Sequence, residues 1–129
     1  HSHFTICNRG RGNFAIRFYQ ALSLGRIPVL IDSDMVFPFE DEINWDEIII
    51  KAKNETELAE KIVFWWQNKS EEEVINAQLQ CRKIYEKYLT PASFSKILEQ
   101  TMLQKVSNFD GNEQSKNSFF QTFLNKIFK

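Results

Sequence analysis

The stretch from Phe4 to Ile31 leaves this chain few ways to fold. Phe4-Thr5-Ile6-Cys7 reads as a short strand, and Cys7-Asn8-Arg9-Gly10-Arg11-Gly12-Asn13 as a loop. Phe14 to Leu22 reads as a helix that closes at Gly25, a good helix C-terminal stop. A second strand, Ile27-Pro28-Val29-Leu30-Ile31, follows at once. Strand, helix and strand in that order demand a crossover with parallel strands. Phe14, Phe18, Ala21, Leu22 and Gly25 fall along one helical face, which is expected to pack on the sheet. Pro28 stands at the beginning of its strand, where a missing N–H is tolerated. The apolar run Val29-Leu30-Ile31 suits a strand covered on both faces. The class is therefore α/β.

Charge placement in the same stretch points to chemistry. A helix N-terminus carries partial positive charge and normally draws Asp or Glu to its first turn. Here the loop and first turn hold Arg9, Arg11 and Arg17, with no acidic residue before Asp32. The arrangement repels itself unless an anion sits among the arginines and the free backbone N–H groups. A helix N-terminus approached through glycines, here Gly10 and Gly12, is a ready phosphate site. The stretch thus reads as a binding site for a phosphorylated ligand. Arg9 is the favoured anion contact, and Arg11 reads as a solvated surface residue. Arg17 suits either the ligand or a structural pair with Asp32 or Asp34, and both roles are compatible. Arg17 and Gln20 lie one turn apart on a flank of the helix that is free to meet a ligand.

Beyond Asp34 the chain reads as a loop to Trp45 with room for a short helical turn, in which Phe37, Phe39 and Trp45 anchor the loop in the core rather than stack on a base. A third strand is expected at Ile48-Ile49-Ile50, and helix dominates thereafter. Thr56 is expected to cap a helix over Glu57–Asn68, with Leu58, Ile62 and Trp65, joined by Ala59, Val63 and Trp66, as a broad buried stripe. Ser70-Glu71-Glu72-Glu73 is a capping box that opens a helix to about Leu89, with Val74, Cys81, Tyr85 and Tyr88 near one face. Its glutamates complement the helix dipole and are not a catalytic pair. Thr90-Pro91 caps a helix carrying Phe94, Ile97 and Leu98 to about Lys105. A domain over 1–105, a polar linker over 106–118 and an amphipathic helix over 119–129 complete the organisation. The last element spaces its apolar residues, Phe119, Phe120, Phe123, Leu124, Ile127 and Phe128, along one helical stripe. It is too short to span a bilayer, which needs about 20 apolar residues. It suits docking on the domain or on missing sequence, and it suits contact with a membrane surface.

The 129 residues amount to one domain with a usable core. A net charge of −1 argues against a general nucleic-acid binder. Cys7 and Cys81 give neither metal spacing nor a disulfide framework. No Ser-His-Asp or Cys-His arrangement can be built, so no catalytic residue is assigned, and no metal cluster is expected. The pair His1 and His3 reads as two exposed histidines rather than a metal site. The sequons at Asn54 and Asn68 are expected from chance in a chain rich in asparagine and lysine. The chain enters its first strand without an initiator Met or a signal segment, so upstream sequence is expected to be missing.

Arg9-Gly10, then Arg17-Phe18-Tyr19-Gln20-Ala21-Leu22, Ile27-Pro28-Val29, Phe37-Pro38-Phe39 and Ile43-Asn44-Trp45, in this order and spacing, resemble the exostosin glycosyltransferase family. The resemblance is specific from about Phe4 to Trp45 and looser to about Gln100. It implies a Rossmann-like half of a GT-B fold, with a short parallel sheet, flanking helices and a helical C-terminal region. This half would bind the nucleotide sugar, and a missing N-terminal GT-B domain would face it across a cleft. The implied reaction moves a sugar from a UDP-sugar to a glycan acceptor, with inversion, and without a cofactor or metal. The fragment alone is expected to be inactive. The alternative is a non-catalytic nucleotide or phosphate-binding module, or a pseudoenzyme; a GDP-dependent fucosyltransferase is disfavoured by the Phe37-Pro38-Phe39 and Ile43-Asn44-Trp45 signatures. The donor-binding residues so implied are Arg9, Gly10, Gly12, Arg17, Gln20, Asp32 and Asp34. Asp32 and Asp34 lie beyond a strand's C-terminal end, where open α/β sheets bind ligands. Members usually carry Glu at the position of Gln20 and a small hydroxyl residue at that of Ala15. A Gln amide both donates and accepts but lacks the charge that strengthens a bond to ribose hydroxyls. Low cysteine content and the lack of a targeting segment imply a cytoplasmic protein, peripheral to membrane at most, or a Golgi one if it derives from a truncated eukaryotic enzyme.

Overall fold

The computed structural model describes residues 2–10, 12 and 14–106. Strand β1 (Phe4–Ile6), helix α1 (Ile16–Ser23) and strand β2 (Ile27–Ile31) form the expected parallel crossover. Strand β3 (Ile50–Ala52) adds to the far side of β2, also in parallel, giving the order β1-β2-β3. Helices α2 (Glu55–Gln67), α3 (Glu71–Ile84) and α4 (Pro91–Val106) follow. Among the described residues this is α/β architecture, three parallel strands with four α-helices, consistent with a Rossmann-like half. Four consecutive residues of β2, Ile27 to Leu30, are buried. Successive strand residues point to opposite faces, so both faces of β2 are covered.

Phe18 stands near the middle of the core. Its ring lies 5.3 Å from that of Phe37 and 5.1 Å from that of Trp45. Trp45 donates its Nε1–H to the Pro38 carbonyl at 2.8 Å in a buried setting. The loop after β2 is thereby folded inward, with Phe37, Phe39 and Trp45 all buried as expected. Phe39 meets Tyr88, 5.3 Å away, and Phe94, 6.5 Å away. The α3 ladder widens into one π-helical turn over Tyr85–Leu89, closed by the Thr90 N–H donating to the Tyr85 carbonyl at 3.0 Å.

Local chemistry sets most helix starts. Ser70 and Glu73 form the expected capping box, and Thr90 Oγ1 accepts from the Ser93 N–H at 3.1 Å ahead of Pro91. Gly25 ends α1 at φ 60, and it is buried against α3, where a Cβ would meet the Gln78 carbonyl at 3.3 Å. The outer edge of β3 is guarded, because Lys61 Nζ donates to the Lys51 carbonyl at 2.8 Å.

Five expectations need correction. The third strand is Ile50–Ala52 rather than Ile48–Ile50: a 3-10 turn over Trp45–Glu47 consumes the approach, and the Ile48 and Ile49 N–H groups donate to the Trp45 carbonyl. Ile48 and Ile49 are still buried, as core filling ahead of the strand. Helix α1 begins at Ile16 with Ala15 extended before it, so Phe14 lies outside the helix and is half exposed, not packed on the sheet. Helix α2 is capped by Asn54, whose Oδ1 accepts from the Glu57 N–H at 2.9 Å, and not by Thr56. Of its broad stripe only Leu58 is buried, with Ile62 and Trp65 partly so. Ala59, Val63 and Trp66 remain exposed, because a sheet of three short strands offers too narrow a surface to cover them. His3 is half-buried against Trp66, ring centroids 5.0 Å apart, rather than exposed. Helix α4 runs through Val106; the rest of the linker over 106–118, and the helix over 119–129, lie outside the described residues. Among the described residues no helix is long and apolar enough to cross a membrane.

Candidate functional site

The C-terminal ends of β1 and β2 lie side by side because the strands pair in parallel, with Ile6 opposite Val29. The loops that leave them therefore share one end of the sheet. Arg9, in the first loop, joins the two. Its Nε donates to the Gly12 carbonyl at 3.2 Å, and its Nη1 donates to the Ser33 carbonyl at 2.5 Å. A guanidinium has five N–H donors, so both contacts together leave other donors for a ligand. Among the described residues no carboxylate pairs with Arg9. Two carbonyls fix its position, and no described carboxylate compensates its charge.

The start of α1 is equally bare. Ala15 occupies the N-cap with no side chain to accept from the first-turn N–H groups, and the first turn holds no acidic residue. Arg17, on that turn, is exposed and makes no ion pair among the described residues, with Asp32 and Asp34 included. Its charge is felt by Cys7, whose thiol is buried beneath the loop. Burial pushes that thiol from 9.0 up to about 11, and Arg17 offsets the rise only in part. Gln20 is exposed one turn further along. Gly10 and Gly12 are exposed, and a Cβ on Gly10 would find open space but for the Phe14 carbonyl at 3.9 Å. Arg11 lies outside the described residues.

Asp32 and Asp34 are exposed just past β2. Asp32 Oδ1 accepts from the Asp34 N–H at 3.3 Å, and Asp34 has φ 55. Ser33 had no place in the sequence reading. It enters through its backbone carbonyl, which residue identity does not reveal.

A cavity of about 490 Å³ lies elsewhere, lined by Phe37, Glu40, Asp41, Asp46 and Lys51 among others. Its carboxylates repel a phosphate, so this hollow is ill suited to an anion. Among the described residues no three His, Cys, Asp or Glu side chains gather as metal ligands. What the loop end can do chemically is hold an anion, with one immobilised arginine, a second nearby and a helix start without a cap.

Comparison with known proteins matches these same residues. The family model described as the Exostosin GT47 domain matches residues 1–63. A probable glucuronosyltransferase of Oryza sativa subsp. japonica is 45% identical over 45 residues, which is 35% of this chain and 11% of that protein. Exostosin-1 of Drosophila melanogaster is 43% identical over 51 residues, 40% of this chain and 7% of its own length. A probable beta-1,4-xylosyltransferase of Arabidopsis thaliana is 42% identical over 45 residues, 35% of this chain and 11% of its own. Residues 1–63, which hold the three described strands, are thus similar to the Exostosin GT47 domain. The chain spans about a tenth of the length of the curated relatives it matches.

Proposed function

We propose that this chain is the donor-binding part of an exostosin-like glycosyltransferase that moves a sugar from a UDP-sugar to a glycan acceptor. The observation that carries the reading is the state of Arg9: held by the Gly12 and Ser33 carbonyls, and paired with no carboxylate among the described residues. A cation fixed by dipoles and left with its charge is preorganised for a diphosphate. The uncapped N–H groups of α1 and the exposed Arg17 extend the same field. As the bond between sugar and diphosphate breaks, negative charge grows on the leaving phosphate, and these groups stabilise it. Cationic side chains supply that charge without a metal ion. Inversion at the anomeric carbon needs a base to take the acceptor's proton. In a GT-B arrangement that base belongs to the opposite wall of the cleft, on a second domain.

A non-catalytic nucleotide-binding role is the second reading. It is favoured by Gln20, exposed and uncharged where family members usually carry Glu.

Ligand-induced stabilisation of the purified chain tests the proposal. UDP is expected to raise the melting temperature more than uridine does, because the diphosphate supplies most of the contact. At one hundred times the dissociation constant the added stability is about 2.7 kcal/mol. Arg9→Ala is expected to remove most of the UDP increment. Equal shifts from uridine and UDP, or a UDP shift indifferent to Arg9→Ala, would refute the diphosphate site.

A further inference from the structure

The peptide group that joins Ser33 to Asp34 is held at both ends. Its N–H donates to Asp32 Oδ1 at 3.3 Å, and its carbonyl accepts from Arg9 Nη1 at 2.5 Å. The N–H and C=O of a trans peptide point in opposite directions. This one therefore bridges the Asp32 carboxylate and the Arg9 guanidinium, with its dipole aligned between them. A carboxylate at the N–H end polarises the carbonyl and strengthens the bond that the carbonyl accepts.

The plane of that peptide is set by ψ of Ser33 and φ of Asp34. Asp34 has φ 55, in the left-handed region, where Gly is at ease and Asp and Asn are the best tolerated of the rest. The other partner of Arg9, the Gly12 carbonyl, belongs to the guanidinium's own loop. The Ser33 carbonyl is thus the tie that fixes Arg9 relative to β2.

We propose that Asp32 and Asp34 are positioning residues for Arg9 rather than ligands of the donor. Asp32 orients and polarises the Ser33 carbonyl through the shared peptide, and the left-handed backbone of Asp34 holds that peptide in place. The consequence is electrostatic. A direct aspartate–arginine pair would spend the cation on the protein, whereas a carbonyl fixes the guanidinium and leaves its charge for the diphosphate. The inference rests on the diphosphate reading of the loop and assigns the two aspartates a part in it that differs from donor contact.

Titration calorimetry of the full chain with UDP and with uridine tests it. Asp32→Ala removes the acceptor, and Asp34→Val penalises the left-handed backbone. Each is expected to weaken UDP binding by about tenfold, the effect of losing one charge-assisted orientation, with uridine binding unchanged. Asp32→Asn keeps an oxygen acceptor, and Asp34→Gly keeps the backbone freedom while deleting the carboxylate. Both are expected to restore most of the affinity that their partner variants lose. If Asp34→Gly weakens UDP as much as Asp34→Val does, the carboxylate itself touches the ligand and the positioning role is overturned. Equal UDP affinity in Asp32→Ala and the parent chain overturns it too. Should Asp34→Val fail to fold, the exposed Asp32 pair decides alone. Arg9→Ala separates the two levels. Loss of UDP preference there with no effect of the aspartate variants refutes the positioning role only. Retention of UDP preference in Arg9→Ala refutes the diphosphate site and the positioning role together.

Discussion

Trp45→Phe separates a core anchor from a base-stacking residue, two roles that an aromatic loop in a nucleotide-binding fold invites equally. Trp45 is 5% exposed, its ring lies 5.1 Å from that of Phe18, and its Nε1–H is bonded to the Pro38 carbonyl at 2.8 Å. Phenylalanine keeps an aromatic ring but leaves that buried carbonyl without its donor, which costs about 1–3 kcal/mol. The smaller ring adds a void, so the total loss is expected to be about 2–4 kcal/mol. For a domain of this size each kilocalorie lowers the melting temperature by about 4 °C, giving a drop of about 8 °C or more. The measurement is thermal unfolding followed by far-ultraviolet circular dichroism, which does not depend on the fluorophore removed. The same samples, kept well below the melting transition, are then titrated with UDP. Unchanged UDP affinity beside the lowered melting temperature is the expected result. A tenfold loss of UDP affinity with an unchanged melting temperature would refute the reasoning and place Trp45 in the binding surface.

Gly25→Ala is expected to lower stability by about 1–2 kcal/mol, the cost of a left-handed L-residue, with more where the Cβ crowds the Gln78 carbonyl at 3.3 Å; denaturant unfolding checks it, and a change below about 0.5 kcal/mol would mean that α1 and α3 yield freely. Burial lifts the Cys7 and Cys81 thiols from 9.0 to about 11 and about 12. Their neutral forms favour the fold below pH 9.0, and that contribution is lost as pH rises through about 11 to 12, so Cys81→Ser should flatten the alkaline limb of the unfolding profile and both thiols should resist a thiol reagent at pH 8 until the chain unfolds. Rapid labelling of either cysteine in the folded chain would contradict its burial. The Glu73 carboxyl is held at about 2, below its ordinary 4.5, by the Ser70 N–H first, then by Lys69 and the Ser70 hydroxyl. Its support for the start of α3 is therefore present above pH 4.5 and lost as pH falls toward 2, and Glu73→Gln should flatten that acid limb in amide exchange of the first turn.

The elements that could be read from sequence are those whose cause is local. Ser70 and Glu73 lie three residues apart and satisfy each other's neighbours whatever the rest of the chain does, so the capping box was legible. The five residues of β2 were legible because no other short element suits an unbroken apolar run between Arg26 and Asp32. Ile48, Ile49 and Ile50 show where that logic stops. All three are buried, yet only Ile50 pairs with β2, because the Trp45–Glu47 turn and the register of Val29 with Ile50 decide where the strand begins. Composition alone is the same for filler and for strand. Helix α2 fails in a different way: periodicity marks which face could be covered, while the width of the sheet determines how much of it is, and Val63 and Trp66 fall beyond that width.

The candidate site divides along the same line. Three arginines without a nearby acid are a sequence property, and so is the glycine-bearing loop that holds two of them. What holds Arg9 is a carbonyl twenty-four positions away, oriented by an aspartate that never touches the arginine. Every residue has a carbonyl, so nothing in the letters singles out Ser33. Sequence therefore names the charges of this loop end, and only the pairing of β1 with β2 brings the Arg9 loop beside the Ser33 carbonyl.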